Sequence, residues 1–210
     1  MDIIKDKNKL SIPVRPTKLT TERIDEISDL LKVELKNHGD DRVGMAANQL
    51  GIDVRMCIVK VKDTLILINP RIISKSTNVV SYYEQCLSID KSMKSPIQVQ
   101  RHTEVTIMTD NLGELTFKPD TYKWKDSNDF YSDLGMLESA CVQHEIDHLM
   151  GMTILDRENK PKPIVSKKSY GRNEIVGITD GDTYKEIKYK KAKPLLDSGK
   201  WVVYVGGPIT

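Results

Sequence analysis

His144 and His148 stand four residues apart with Glu145 between them, in the run QHEIDHL over residues 143–149. On a helix, residues i and i+4 share one face about a turn apart, so both imidazoles can reach a single ion. A catalytic site of the zinc type needs three protein ligands and keeps a further position for water. A carboxylate beside such an ion can take up and return the water's proton. The same spacing also occurs in buried helices whose histidines are merely hydrogen-bonded, so the third ligand decides the chemistry.

Three sources of that ligand are open. The metzincin extension H-E-x-x-H-x-x-G-x-x-H keeps its glycine here as Gly151 but has Ile154 in place of the last histidine. Thermolysin-like enzymes take a glutamate from a later helix. The downstream candidates Glu158, Glu174 and Glu186 fall in a proline-broken or β-like stretch. The remaining source is a cysteine. Cys86 sits in YEQCLSI, where a strand-like run enters a loop; Cys57 lies inside an apolar strand and reads as core. Cys141 falls on the histidine face one turn before His144 and reads as a pocket wall.

These residues need elements to hold them. Ile24, Ile27, Leu30, Leu31 and Leu35 recur at helical spacing over residues 21–37, with His38 and Gly39 as a stop. A loop then enters VGMAANQLG, residues 43–51, rich in small side chains. Residues 54–69 read as two strands turning at Lys62 and Asp63, and Pro70 ends the second. VVSYYEQCLSI reads as β, and EVTIMTDNLGELTF as a hairpin turning at residues 111–113. Residues 126–133 are polar and loop-like. Leu134, Leu137, Cys141, His144 and His148 then follow helical spacing up to Gly151, a plausible C-terminal glycine.

Composition bounds the class. The chain has 210 residues, 39% hydrophobic and 30% charged, enough for one domain with a core and a small appendage. Thirty-two basic against 30 acidic residues leave a net charge of +2, with no chain-wide attraction for DNA. No apolar run approaches the roughly 20 residues that span a bilayer, and MDIIKDKNKL has no secretory apolar core. Three widely spaced cysteines fit reduced thiols and a cytoplasmic location. Residues 1–156 are expected to form the catalytic domain, 157–173 a basic linker and 174–210 a small β-rich C-terminal extension.

GMAANQLG, EQCLS and QHEIDHLMG, in that order, resemble the three motifs of the peptide deformylases. The resemblance covers residues 1–156. It implies an α+β fold in which antiparallel sheets pack around a central helix carrying the histidines. It also implies Cys86 as third ligand, and ferrous iron as the ion, with zinc, nickel or cobalt as substitutes that the same donors accept. The implied activity is a step of protein biosynthesis, removal of the formyl group from the initiator methionine of nascent polypeptides. Glu145 would be the general base and then acid, and the Gln49 amide with the Leu87 N–H would hold the oxyanion. Val43, Leu137, Ala140 and Cys141 match the methionine pocket, and Gly44 would pair with an extended peptide. Glu84 and Arg101 match a salt bridge of the family. Asp147 is expected to orient a ligand histidine or to cap locally.

Two positions depart from the family pattern. Arg42 stands where the first motif usually has a glycine, and Gln85 replaces the glycine of the second. From Arg157 to Lys193 there are eleven Lys/Arg against five Asp/Glu, so the extension could meet ribosomal RNA or simply present a solvated face. Two rival functions share these features: a zinc endopeptidase on the same H-E-x-x-H, and a catalytically silent metal-binding or ribosome-associated protein.

Overall fold

The computed structural model describes residues 1–89, 96–121, 132–157, 170–179, 184–197 and 202–203. It divides into two compact units, Met1–Glu158 and Asn159–Thr210. The expected linker over 157–173 and the loop over 126–133 fall mostly outside the described residues.

In the first unit, α1 (Lys7–Leu10) is a single turn. Helix α2 (Thr21–Asn37) starts where the Thr20 side chain accepts from the Arg23 N–H, and ends at His38 ahead of Gly39, whose φ is +122°. Its periodic residues Ile27, Leu31 and Leu35 are buried against Met45, Met56 and Ile58. Each such side chain contributes about 1.5–3 kcal/mol when fully buried. That is why a charged-faced helix stays docked.

The strands are antiparallel throughout. β1 (Gly44–Ala46), β2 (Met56–Lys60) and β3 (Thr64–Ile68) form a sheet in that order, so β1 is an edge. β4 (Arg71–Lys75), β7 (Val105–Thr109) and β8 (Gly113–Phe117) form a second sheet, ordered β4-β7-β8. β5 (Val79–Glu84) pairs with β6 (Ile97–His102). The expected hairpins at Lys62–Asp63 and at residues 111–113 correspond to β2–β3 and β7–β8. The small-residue run 43–51, which a loop was expected to enter, holds the β1 edge and a 3-10 turn at Ala47–Leu50.

Helix α3 (Leu134–Leu149) starts at Asp133, whose side chain accepts from the Met136 N–H, and packs against β1, β2, β6 and β8. Val142, Ile146 and Leu149 join Ala46, Cys57, Leu67, Ile107 and Phe117 in one core. Its polar residues Gln143, Glu145, Asp147 and His148 are buried as well. Buried polar groups need partners or a task. The helix ends on Gly151 at φ +75°, where a side chain would strike the Ser11 carbonyl, followed by the short α4 (Ile154–Arg157).

The second unit pairs β9 (Ile175–Thr179) with β10 (Tyr184–Lys188) and β11 (Val202–Val203). Helix α5 (Tyr189–Asp197) follows β10 directly. The extension, expected to be β-rich, thus holds a helix beside its three strands. Pro194 lies inside the helix and masked its periodicity, but Ala192, Leu195 and Leu196 still pack on Val176 and Ile178. Among the described residues no helix is long and apolar enough to cross a membrane.

Candidate active site

Along β5, Tyr82 and Glu84 point inward between exposed neighbours, and Cys86 follows two residues past the strand's end. The same two-residue period aims Cys86 toward α3. There it meets His148, with Sγ 3.2 Å from Nε2, while the two histidines bring their Nε2 atoms within 3.2 Å of each other. The three ligand atoms all lie within 4.8 Å of one another.

These distances fit a shared ion. Two nitrogens held at about 2.0–2.1 Å by one tetrahedral centre stand roughly 3.3 Å apart. The donor chemistry fits too. His144 Nδ1 lies 2.8 Å from Glu84 Oε2. Burial alone would raise Glu84, but the hydrogen bonds and charge of Arg101, with His144, hold it at about 2. An ionised carboxylate accepts the Nδ1 proton, which leaves the Nε2 lone pair facing Cys86 and His148. A soft thiolate with two imidazoles suits Fe(II), Zn, Ni or Co.

Around this cluster runs a buried charge chain. Arg101, 2% exposed, donates from Nε and Nη2 to the two Glu84 oxygens at 2.6 and 2.8 Å, and from Nη1 to Asp147 at 2.6 Å. Asp147 also accepts from Arg157 at 2.9 and 3.2 Å. The Asp147 side chain thus binds two arginines, rather than orienting a ligand histidine or capping locally, the two roles expected of it from sequence. The carboxylate that touches His144 is Glu84. A side chain's reach across 60 residues leaves no local signal in the sequence.

Glu145 is buried beside the histidines, and its Oε2 has no hydrogen-bond partner among the described residues. Burial pushes its carboxyl up to about 7 against the opposing pull of His144 and Arg101. A side chain on Gly44 would run into the Glu145 carboxylate and lie 2.7 Å from Cys141 Sγ. The β1 edge can therefore approach α3 this closely only as glycine.

Gln49 is fixed at its carbonyl end, where Oε1 accepts from the Ala46 N–H at 2.9 Å. Its amide consequently points its N–H groups at Ser88 Oγ, 3.0 Å away, and toward Cys86 Sγ at 3.8 Å. Ser88 was not anticipated from sequence. Neither were the groups that pin the end of α3: Asn48 Nδ2 donates to the His148 carbonyl at 2.7 Å, and Arg55 Nη1 to that of Leu149 at 3.0 Å.

A cavity of about 210 Å³ opens onto this cluster. Cys86, His144, Glu145, Gln49 and Leu87 line its inner part. Val43, Gly44, Leu137, Ala140 and Cys141 line it as well, and Cys141 donates to the Val43 carbonyl at 3.3 Å. His148 stands behind, 1% exposed. An apolar wall, an edge strand, a proton acceptor and three converging ligands are together equipped for hydrolysis of a bond presented by an extended peptide.

Comparison with known proteins gives one family. The family model described as polypeptide deformylase matches residues 2–163. The peptide deformylase of Pediococcus pentosaceus is 31% identical over 186 residues, which cover 78% of this chain and 92% of that protein. That of Pseudoalteromonas translucida is 28% identical over 70% of this chain and 83% of its own. A crystal structure of the class I type b peptide deformylase from Acinetobacter baumannii superposes with a TM-score of 0.59 at 25% identity, covering 75% of this chain and 98% of that one.

Proposed function

The chain belongs to the peptide deformylase family, and from that premise we propose that Cys86, His144 and His148 hold one divalent ion while Glu145 moves the proton. The reaction is the family's: hydrolysis of the N-formyl group from the initiator methionine of nascent polypeptides, giving formate and a free amine. The observation that carries the assignment is the convergence of one sulfur and two imidazole nitrogens beside a buried carboxylate whose Oε2 has no hydrogen-bond partner among the described residues. We take ferrous iron as the physiological ion, with zinc, nickel and cobalt as replacements the donor set accepts. When bound, the ion polarises the formyl oxygen and lowers the pKa of water toward neutrality.

The chain's own groups supply the rest. The free edge of β1 at Gly44 takes the peptide as an added strand. Val43, Leu137, Ala140 and Cys141 receive the methionine side chain. Glu145 accepts the proton of the attacking water at its carboxylate and returns it to the departing amine nitrogen, so one residue serves both half-reactions. Gln49 Nε2 and the Leu87 N–H donate to the formyl oxygen as it becomes anionic. Fixed donors of this kind contribute about 3–4 kcal/mol to the transition state. Glu84 and Arg101 hold the imidazole of His144 in place and do not touch substrate.

Residues 1–156 are the proposed catalytic domain. The second unit exposes Lys185, Lys188, Lys190 and Lys191, and we assign it to contact with ribosomal RNA phosphates through that charge. An enzyme that meets chains as they are made works in the cytoplasm.

Elemental analysis of Cys86→Ala tests the ligand set. One metal per chain is expected in the parent protein and almost none in the variant, because two imidazoles alone hold a divalent ion weakly. Full occupancy in Cys86→Ala rules out Cys86 as a ligand.

A further inference from the structure

The two positions that depart from the family motifs face each other across the cleft. Arg42 and Gln85 both line the catalytic cavity, with Arg42 Nη1 3.5 Å from Gln85 Oε1, the outer limit of a hydrogen bond. Arg42 Nε is buried with no hydrogen-bond partner among the described residues. Its acidic neighbour is Asp41, whose Oδ1 lies 3.6 Å away on a side chain 74% exposed. An ion pair of that length to a mostly exposed carboxylate is weak and readily exchanged. The guanidinium of Arg42 is thus poorly satisfied.

Its position matters as much as its charge. Gln49, Cys86 and Glu145 mark the deep end of the cavity, where the formyl group must arrive. Asp41 and Gln85 are exposed and mark the mouth. Residues following the methionine therefore leave past Arg42. Arg42 also lines a second cavity of about 330 Å³, whose other polar walls include Lys36 and Lys60. Lys32 lines it too, though paired with Asp29 at 3.0 Å. Among the described residues no acidic side chain lines that cavity. Arg42 is the wall shared by that cation-lined cavity and the mouth of the active site, where Asp41 also stands, and arginine's planar fork matches a carboxylate.

We propose that Arg42, backed by Lys36 and Lys60, is a specificity determinant favouring formyl-methionine peptides with a carboxylate side chain in the first two residues after the methionine. Gln85 acts as a positioning residue, its carbonyl oxygen holding the guanidinium over the exit. The inference rests on the deformylase reading above.

The test compares isosteric pairs: formyl-Met-Asp-Ser against formyl-Met-Asn-Ser, and formyl-Met-Ala-Asp against formyl-Met-Ala-Asn, all as C-terminal amides. The parent protein, loaded with ferrous or nickel ion, is expected to show kcat/KM about fivefold higher for the aspartate member of at least one pair at low salt, in the range of a partly exposed ion pair. That ratio should fall toward one in 0.5 M sodium chloride, where screening is short-ranged. It should also fall toward one in Arg42→Gln, stay partial in Arg42→Lys, and drop modestly in Lys36→Ala combined with Lys60→Ala. A ratio near one for both pairs in the parent protein overturns the inference while leaving the deformylase reading intact. So does a ratio that survives Arg42→Gln. No formate from any of the four peptides overturns both together.

Discussion

Arg101 illustrates how much of this site is held by charge in a place with little water. It is 2% exposed and shared between Glu84 and Asp147, with Glu84 in turn against His144. Removing one member of a buried ion pair leaves the other desolvated and alone, which costs about 3–5 kcal/mol. Glu84→Ala should therefore lower the unfolding free energy by that order and also weaken metal retention, because His144 loses the acceptor that fixes its tautomer. Arg157, whose side chain is 45% exposed, is the contrast. Arg157→Ala should stay within about 1 kcal/mol of the parent protein. Denaturant unfolding of the two variants decides the matter: equal losses would mean that burial does not govern this network.

At the scale of elements, the site depends on how closely the β1 edge lies against α3. Gly44→Ala puts a methyl group into the space of the Glu145 carboxylate and 2.7 Å from Cys141 Sγ. Displacing a catalytic group by about an ångström can cost on the order of 10²-fold. A loss of that order in kcat/KM, with metal content unchanged, is the expected outcome. Activity within twofold of the parent protein would show that the edge has room to spare. Helix α2 was readable from sequence because the apolar periodicity of Ile27, Leu31 and Leu35 is clear, and α3 because Leu134, Leu137, Cys141, His144 and His148 recur at helical spacing. Alternation and turn residues gave β2–β3 and β7–β8. The histidine pair was legible from its spacing and Cys86 from the resemblance carried by three ordered motifs, and the ligand atoms of these three residues lie together. What stayed hidden were contacts between distant residues. Glu84 to His144, Gln49 to Ser88 and Arg55 to the end of α3 each span many positions, and no local pattern encodes them. β1 was hidden for another reason, since three residues, two of them as small as Gly44 and Ala46, carry no strand signature until a neighbouring strand pairs with them.

For the whole molecule, every residue assigned to the chemistry falls in the first unit, between Val43 and His148. A truncated chain ending at Glu158 should accordingly keep one metal and release formate from a formylated tripeptide within about threefold of the full chain. Loss of more than tenfold would assign residues 159–210 a part in the reaction. A ferrous ion with a thiolate ligand is open to oxidation, so the iron form should lose activity in air faster than the nickel form. Iron-loaded protein that keeps full activity after prolonged aeration would contradict the metal assignment. The claim on which the rest depends is that Glu145 moves the proton in a metal-assisted deformylation. The measurement that reaches it most directly is formate release from formyl-Met-Ala-Ser by anaerobic, iron-loaded parent protein and Glu145→Gln at matched metal content. The parent protein should yield formate and the intact free-amine peptide in equal amounts. Glu145→Gln should retain fold and metal and fall in kcat by 10⁴-fold or somewhat more, the upper end of about 10²–10⁴ for general acid–base catalysis. Turnover by Glu145→Gln at the parent rate, or cleavage inside unformylated peptides without formate, would contradict the account.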